Sequence, residues 1–240
     1  MEHIVALLRR HGFTDIIVNV YHLADQITDY FGDGSRFGVN ITYSEEDRLW
    51  GDAGSVKRCE DFFGHETFLV VGGDDLSDID LTRFLEHHKR KKALASIALS
   101  LVDDPAEYGI VLVNEEGRIT RFMEKPRGEV IFSNTANAGI YLFEPEALEL
   151  IPRGTFYLFG KTFFPLMLEQ KRPIYGYLTA GYWMDVGNLG MYLQAHIDAM
   201  SGRVRLDFPV PERRKYQWIA DSAVIDPSAT LEYPIVIGEG

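Results

Sequence analysis

Short runs of β-branched and aromatic residues alternate with helical segments through the first hundred residues, and this alternation restricts the chain to an α/β architecture. Met1 to Gly12 spaces Ile4, Leu7, Leu8 and His11 at helical intervals and stops at a glycine. DIIVNV follows as a strand, HLADQITDYF as a helix closed by Gly32 and Gly34, and VNITY as another strand. A helix through AGSVKRCEDFF leads to the strand TFLVV, and a helix LTRFLEHHKRKK leads to ALASIALSL. Strand and helix in series predict a mostly parallel sheet covered on both faces.

The middle of the chain changes character. GIVLVNEEGRITRFMEK reads as a hairpin around NEEGR. NAGIYLF reads as a strand and PEALELI as a short helix with proline at its start. KTFFPLMLEQK predicts a helix kinked or started at Pro165, IYGYLTAGYWMDVG an extended segment, and NLGMYLQAHIDAMSG a helix closed by Gly202. The main domain is therefore expected over 1–202. Residues 203–218, with two prolines and many charges, predict a linker. Beyond it Ile219, Ile225, Leu231 and Ile237 recur every six residues, which predicts the start of a β-helix over 219–240, about one coil of it.

A net charge of −12 argues against a broad nucleic-acid surface. No apolar run is long enough to span a bilayer. The single cysteine, Cys59, has no partner for an internal disulfide, so a cytoplasmic location is expected, with Cys59 as a partly buried helix thiol. The basic run HHKRKK, His87 to Lys92, reads as a solvated helix end whose cations suit the dipole.

Carboxylates and glycines gather at the strand ends. TFLVV delivers Gly72, Gly73 and Asp74 to the edge where open α/β sheets bind ligands. Asp74 there suits either a magnesium ion, with its preference for one or two carboxylates, or a turn or cap. Asp78 and Asp80, just before a helix, read as caps. Asp185, in YWMDVGN, is placed like Asp74, and the two would clamp one cation if they meet. Glu124 and Lys125, in RFMEKP, suit a sugar hydroxyl and a phosphate respectively. Asn137 to Gly139 offers an amide and small residues near the same edge, and Gly51 and Gly54 open a helix whose N–H groups suit a phosphate or base edge.

VVGGDDLSD, DDPAEYG, FMEKP, SNTANAGIYLFEPE and YWMDVG, in this order and followed by the hexapeptide tail, resemble the sugar-1-phosphate nucleotidyltransferases. The likeness is strongest to the mannose-1-phosphate guanylyltransferase and glucose-1-phosphate nucleotidyltransferase group and covers nearly the whole chain. It implies a Rossmann-like, mostly parallel sheet of the nucleotide-diphospho-sugar transferase type with the start of a C-terminal left-handed β-helix. It implies an enzyme that joins a nucleoside triphosphate to a sugar-1-phosphate and releases pyrophosphate. Asp74 and Asp185 would hold Mg2+, Lys125 the sugar phosphate and Glu124 the sugar hydroxyls. Gly109, Asn137 and Gly139 would line the sugar pocket, beside Gly73, and Gly51 to Gly54 would lie against the nucleotide.

The family opens with a strand and a glycine-rich loop carrying an arginine and a lysine, whereas Met1 falls where the following helix belongs. The resemblance therefore implies very low activity without that loop and unpaired edges in the sheet. Gly72 and Asp52 stand where the family commonly has asparagine and threonine, and FGKTFFP lacks the usual acids. These departures leave three expectations: an enzyme read from an incomplete sequence, a non-catalytic nucleotide-sugar-binding regulatory subunit, or a tail that assembles a homo-oligomer.

Overall fold

The computed structural model describes residues 1–126, 128, 130–208 and 210–239; Pro209 of the expected linker and Gly240 of the tail lie outside them. Helix α1 (Glu2–Arg10) leads to β1 (Asp15–Val20), α2 (Ala24–Phe31) and β2 (Asn40–Glu45). Then come α3 (Asp52–Arg58), α4 (Glu60–Phe63), β3 (Phe68–Val70), β4 (Asp75–Ser77), α5 (Leu81–Lys91) and β5 (Ala95–Leu101). The expected hairpin is β6 (Gly109–Val113) and β7 (Ile119–Glu124), followed by β8 (Thr135–Phe143). A 3-10 helix covers Pro145–Leu150, and a π-turn at Phe159–Phe163 runs into α6 (Phe164–Glu169) with Pro165 in its first turn. β9 (Ile174–Leu178), β10 (Trp183–Asp185) and α7 (Leu189–Met200) complete this part.

The central sheet orders its strands β7-β6-β8-β5-β9, with β3 also on β8. Four of the six strands, β3, β5, β6 and β9, point the same way, so the sheet is mostly parallel in direction. The long β8 runs against its three neighbours and makes antiparallel ladders with them. β1 and β2 form a separate parallel pair. Among the described residues, β1 is hydrogen-bonded only to β2, and β3 only to β8.

The apolar strands explain the layering. Ile97, Leu99, Tyr141 and Phe143 face one side, against Phe159, Phe163, Phe164 and Met167. Ala98, Ala138, Ile140 and Leu142 alternate to the other side, against Ile4, Leu7 and Leu8 of α1 and Leu81 and Phe84 of α5. Both faces are covered, hence the near-continuous apolar runs. Val5 of α1 turns instead to a smaller cluster with Phe31, Val39 and Ile41 of the β1–β2 unit.

His88 corrects the expectation of a solvated helix end. Its imidazole is fully buried between the Ser96 hydroxyl, 2.8 Å from Nδ1, and the Glu144 carboxylate, 3.0 Å from Nε2. Burial holds its pKa below the usual histidine value. Cys59 is buried at the α3–α4 junction, as expected for a structural thiol. Part of the expected linker is ordered as β11 (Glu212–Arg214) and β12 (Gln217–Ile219), and β12 pairs in parallel with β13 (Ile235–Ile237).

Candidate active site

A cavity of about 1170 Å3 lies between β1 and β3 and extends to the loop ends of β3, β7 and β10. Eight of the ten residues singled out from the sequence line it: Gly73, Asp74, Gly109, Glu124, Lys125, Asn137, Gly139 and Asp185.

The acidic wall is built by strand pairing that the sequence does not announce. After β3, Gly72 and Gly73 turn the chain into β4, which pairs antiparallel with β10 and sets Asp75 opposite Asp185. The Val186 N–H donates to the Asp74 carbonyl at 3.3 Å, so Asp74 and Asp185 meet across this ladder. A Cβ on Gly72 would stand 2.6 Å from Asp75 Oδ2 and 3.0 Å from Asp74 Oδ1, so a side chain there would make both carboxylates shift. Burial, and then the Asp74 charge, push the Asp185 carboxyl upward, while Lys125 opposes both. The buried Asp75 carboxyl is pushed up to about 7, chiefly by burial, and the Trp183 indole counteracts it with a 3.0 Å hydrogen bond.

This donor set fits a hard divalent cation. Magnesium takes one or two carboxylates and fills its remaining positions with water and phosphate oxygens. Among the described residues no three acid, histidine or cysteine side chains could close around a metal by themselves; Asp74 and Asp185 supply the two carboxylates that such a cation takes.

The opposite wall comes from the hairpin and β8. Glu124 is half-buried at the end of β7, paired through the backbone with Gly109. A Cβ on Gly109 would stand 2.7 Å from Glu124 Oε2, and one on Gly160 would collide with the same carboxylate. Two glycines therefore clear the space in which Glu124 lies, and burial raises its pKa. Lys125 adopts φ +43, a region that lysine rarely enters, and its N–H donates to the Tyr108 carbonyl at 3.1 Å. Asn137 donates to the Tyr141 hydroxyl at 2.9 Å and accepts from the Gly139 N–H at 3.0 Å. Gly139 itself has φ +69 and packs against Asp75.

Gly51 and Gly54 are placed differently. Gly51 has φ +75, and a Cβ there would run into the Tyr157 carbonyl; one on Gly54 would stand 2.7 Å from the Thr155 carbonyl. The Gly54 N–H is donated to Tyr157 at 3.1 Å. Asp52 turns its carboxylate to the N–H groups of Ala53 and Phe159, at 2.7 and 2.8 Å, and burial raises its pKa. From α3 it is Asp52, Ser55 and Val56 that line the cavity.

Asp80 caps α5 as expected, accepting from the Arg83 N–H at 3.0 Å. Asp78 does not cap; its two oxygens accept from the N–H groups of Tyr182 and Arg205, tying β10 and the 205 segment to β4. Asp75, Tyr108, Tyr141 and Trp183 also line the cavity and were not foreseen. The nearness of Asp75 to Asp74, of Tyr108 to Gly109 and of Trp183, two residues away, to Asp185 hinted at three of them.

Comparison with known proteins places the chain in a family. A family model described as Nucleotidyl transferase matches residues 1–202. The chain is 38% identical to a Synechocystis UTP–glucose-1-phosphate uridylyltransferase, covering 99% of this chain and 65% of the relative. It is 30% identical to a Mycobacterium tuberculosis mannose-1-phosphate guanylyltransferase, covering 100% of this chain and 66% of that one. The chain thus spans about two thirds of the length of these relatives. The structure of a putative glucose-1-phosphate thymidylyltransferase from Bacillus anthracis superposes with a TM-score of 0.73 at 25% identity, covering 82% of this chain and 80% of that one. Sequence match, fold and cavity lining together make this chain a member of the nucleotidyl transferase family.

Proposed function

We propose that this chain provides a sugar-1-phosphate nucleotidyl transfer site, on which the phosphate oxygen of a hexose-1-phosphate attacks the α-phosphorus of a nucleoside triphosphate and pyrophosphate leaves. The observation that carries this reading is the convergence, in one cavity, of the Asp74–Asp185 pair with Glu124 and Lys125. Lys125 neutralises the sugar phosphate and fixes its oxygen for attack. Glu124 accepts from sugar hydroxyls, in space kept open by Gly109 and Gly160. Asn137 and Gly139 shape the sugar end, and Gly73 allows close approach beside Asp74. Asp74 and Asp185 would hold Mg2+, which when bound screens the charge of the reacting phosphates. The nucleotide would lie along Asp52 and Ser55, with Gly51 and Gly54 shaping the turn behind them. Chemistry of this kind is mostly positioning and charge neutralisation, which suits a wall of acids facing a lysine.

Glucose- or mannose-1-phosphate is the substrate class favoured by the relatives' names. The separation of 18 residues between paired positions of β12 and β13, such as Gln217 and Ile235, equals three six-residue periods and supports a β-helical tail. The net charge of −12 supports a role without nucleic acid, and the lone cysteine a cytoplasmic setting. None of the described helices is long and apolar enough to cross a membrane.

Pyrophosphate release is to be measured with Mg2+, each nucleoside triphosphate, and mannose- or glucose-1-phosphate. Release that vanishes in Asp74→Asn supports the proposal. Sugar-phosphate binding without release would favour a non-catalytic binding subunit, and absence of both would overturn the reading.

A further inference from the structure

Asp75 sits among the acids, and its carboxylate is tied to an aromatic side chain of β10. It is 8% exposed, and Oδ1 accepts the Trp183 indole N–H at 3.0 Å. The Trp183 ring meets the Tyr108 ring edge-on, with centroids 5.3 Å apart. The Tyr108 carbonyl in turn accepts the Lys125 N–H at 3.1 Å, at the residue whose backbone is held at φ +43. Four residues on three separate segments thus form one continuous chain of contacts, which starts beside Asp74 and Asp185 and ends at Lys125. Gly72 and Gly139, which would crowd Asp75 if they carried side chains, leave the carboxylate in place.

We propose that Asp75 is a positioning residue that sets the acidic wall and Lys125 at a fixed spacing, acting through Trp183 and Tyr108. A flexible lysine at a hairpin end has many rotamers, and a left-handed backbone persists only where its surroundings determine it. The Tyr108 carbonyl supplies that constraint, and the Trp183 ring holds Tyr108. Trp183 is two residues from Asp185 on β10, so the hydrogen bond its indole donates to Asp75 adds a side-chain tie to the β4–β10 ladder and fixes the indole plane. Leu or Val at position 75 would satisfy burial but leave the indole N–H unpaired. The functional part of this inference rests on the sugar-phosphate reading of Lys125; the mechanical coupling does not.

The test uses three variants: Asp75→Leu, which removes the acceptor; Asp75→Asn, which keeps it; and Trp183→Phe, which removes the donor and keeps a ring. The first readout is the Lys125 amide signal in a 15N-lysine-labelled chain, assigned with Lys125→Arg. It should move in Asp75→Leu and in Trp183→Phe, and stay near its wild-type position in Asp75→Asn. The second readout is calorimetric affinity for glucose- or mannose-1-phosphate with Mg2+. It should weaken about tenfold in Asp75→Leu and Trp183→Phe, with the double variant no worse than the singles. A Lys125 amide that ignores both substitutions, or an Asp75→Asn chain as impaired as Asp75→Leu, overturns the proposal. If Asp75→Leu does not fold, Trp183→Phe and Asp75→Asn decide the question. If the amide responds while the wild type binds no sugar phosphate, the coupling stands and the sugar-phosphate reading falls.

Discussion

Gly51→Ala distinguishes a glycine kept for the backbone from one kept for a ligand. Gly51 has φ +75 and ψ +161, a combination essentially confined to glycine, and an alanine held there costs about 1–3 kcal/mol. Its Cβ would also collide with the Tyr157 carbonyl and stand 3.1 Å from Leu158 Cδ2. Tyr157 cannot simply withdraw: its N–H donates to Trp50 at 2.9 Å and its carbonyl accepts from Gly54 at 3.1 Å. Losing these two hydrogen bonds adds about 0.5–1.5 kcal/mol each. The sum is about 2–6 kcal/mol, which for a chain of 240 residues lowers Tm by roughly 4–24 °C at about 2–4 °C per kcal/mol. Thermal unfolding followed by circular dichroism, without ligand, measures it. A Tm within about 2 °C of wild type, together with weakened nucleotide binding, would refute this reasoning and return Gly51 to the nucleotide.

Three further outcomes are expected. His88 is buried with a lowered pKa, so between its unfolded value near 6.5 and its lower folded value the unfolded chain binds more protons. Stability should fall as pH drops from 7 through this window, and His88→Gln should flatten the decline in urea midpoints; an unchanged slope would show that His88 is not involved. Glu124→Gln should weaken sugar-1-phosphate binding roughly tenfold by calorimetry, without lowering Tm, because burial already disfavours the Glu124 charge; a lowered Tm would assign Glu124 a structural role instead. Asp185→Asn should weaken Mg2+ binding in the presence of sugar phosphate by about tenfold or more, yet leave the metal-free chain no less stable, since it relieves repulsion from Asp74. Unaltered metal affinity would place the cation elsewhere.

Much of the α/β layering was legible because it is local: α1, α5 and the hairpin are each written in contiguous residues. The meeting of Asp74 with Asp185 was not, because β4 is three residues long and its partner β10 begins 108 positions after Asp75. Asp78 shows the limit from another side. An aspartate just before a helix looks the same whether it caps that helix or binds N–H groups more than a hundred residues away, as Asp78 does at Tyr182 and Arg205. His88 was hidden by its neighbours: a histidine within a basic run reads as solvent-facing until the helix phase is known. Gly51 and Gly54 were found by their composition, but composition alone does not say whether a bare backbone faces a ligand or another stretch of chain.

The two-sided α1 has a thermodynamic consequence. Ile4, Leu7 and Leu8 anchor it to the central sheet, while Val5 anchors the β1–β2 unit to it. Among the described residues no ladder joins β1 or β2 to that sheet, so cooperativity between the two units passes through side-chain packing rather than backbone pairing. Such a unit can open below the global unfolding free energy, and its amides then exchange as a faster class than those of β5 and β8. A ligand that touches both Asn19 of β1 and Gly73 would bridge the two units. By linkage it would spend part of its binding energy on closing the smaller one, merging two exchange classes into one.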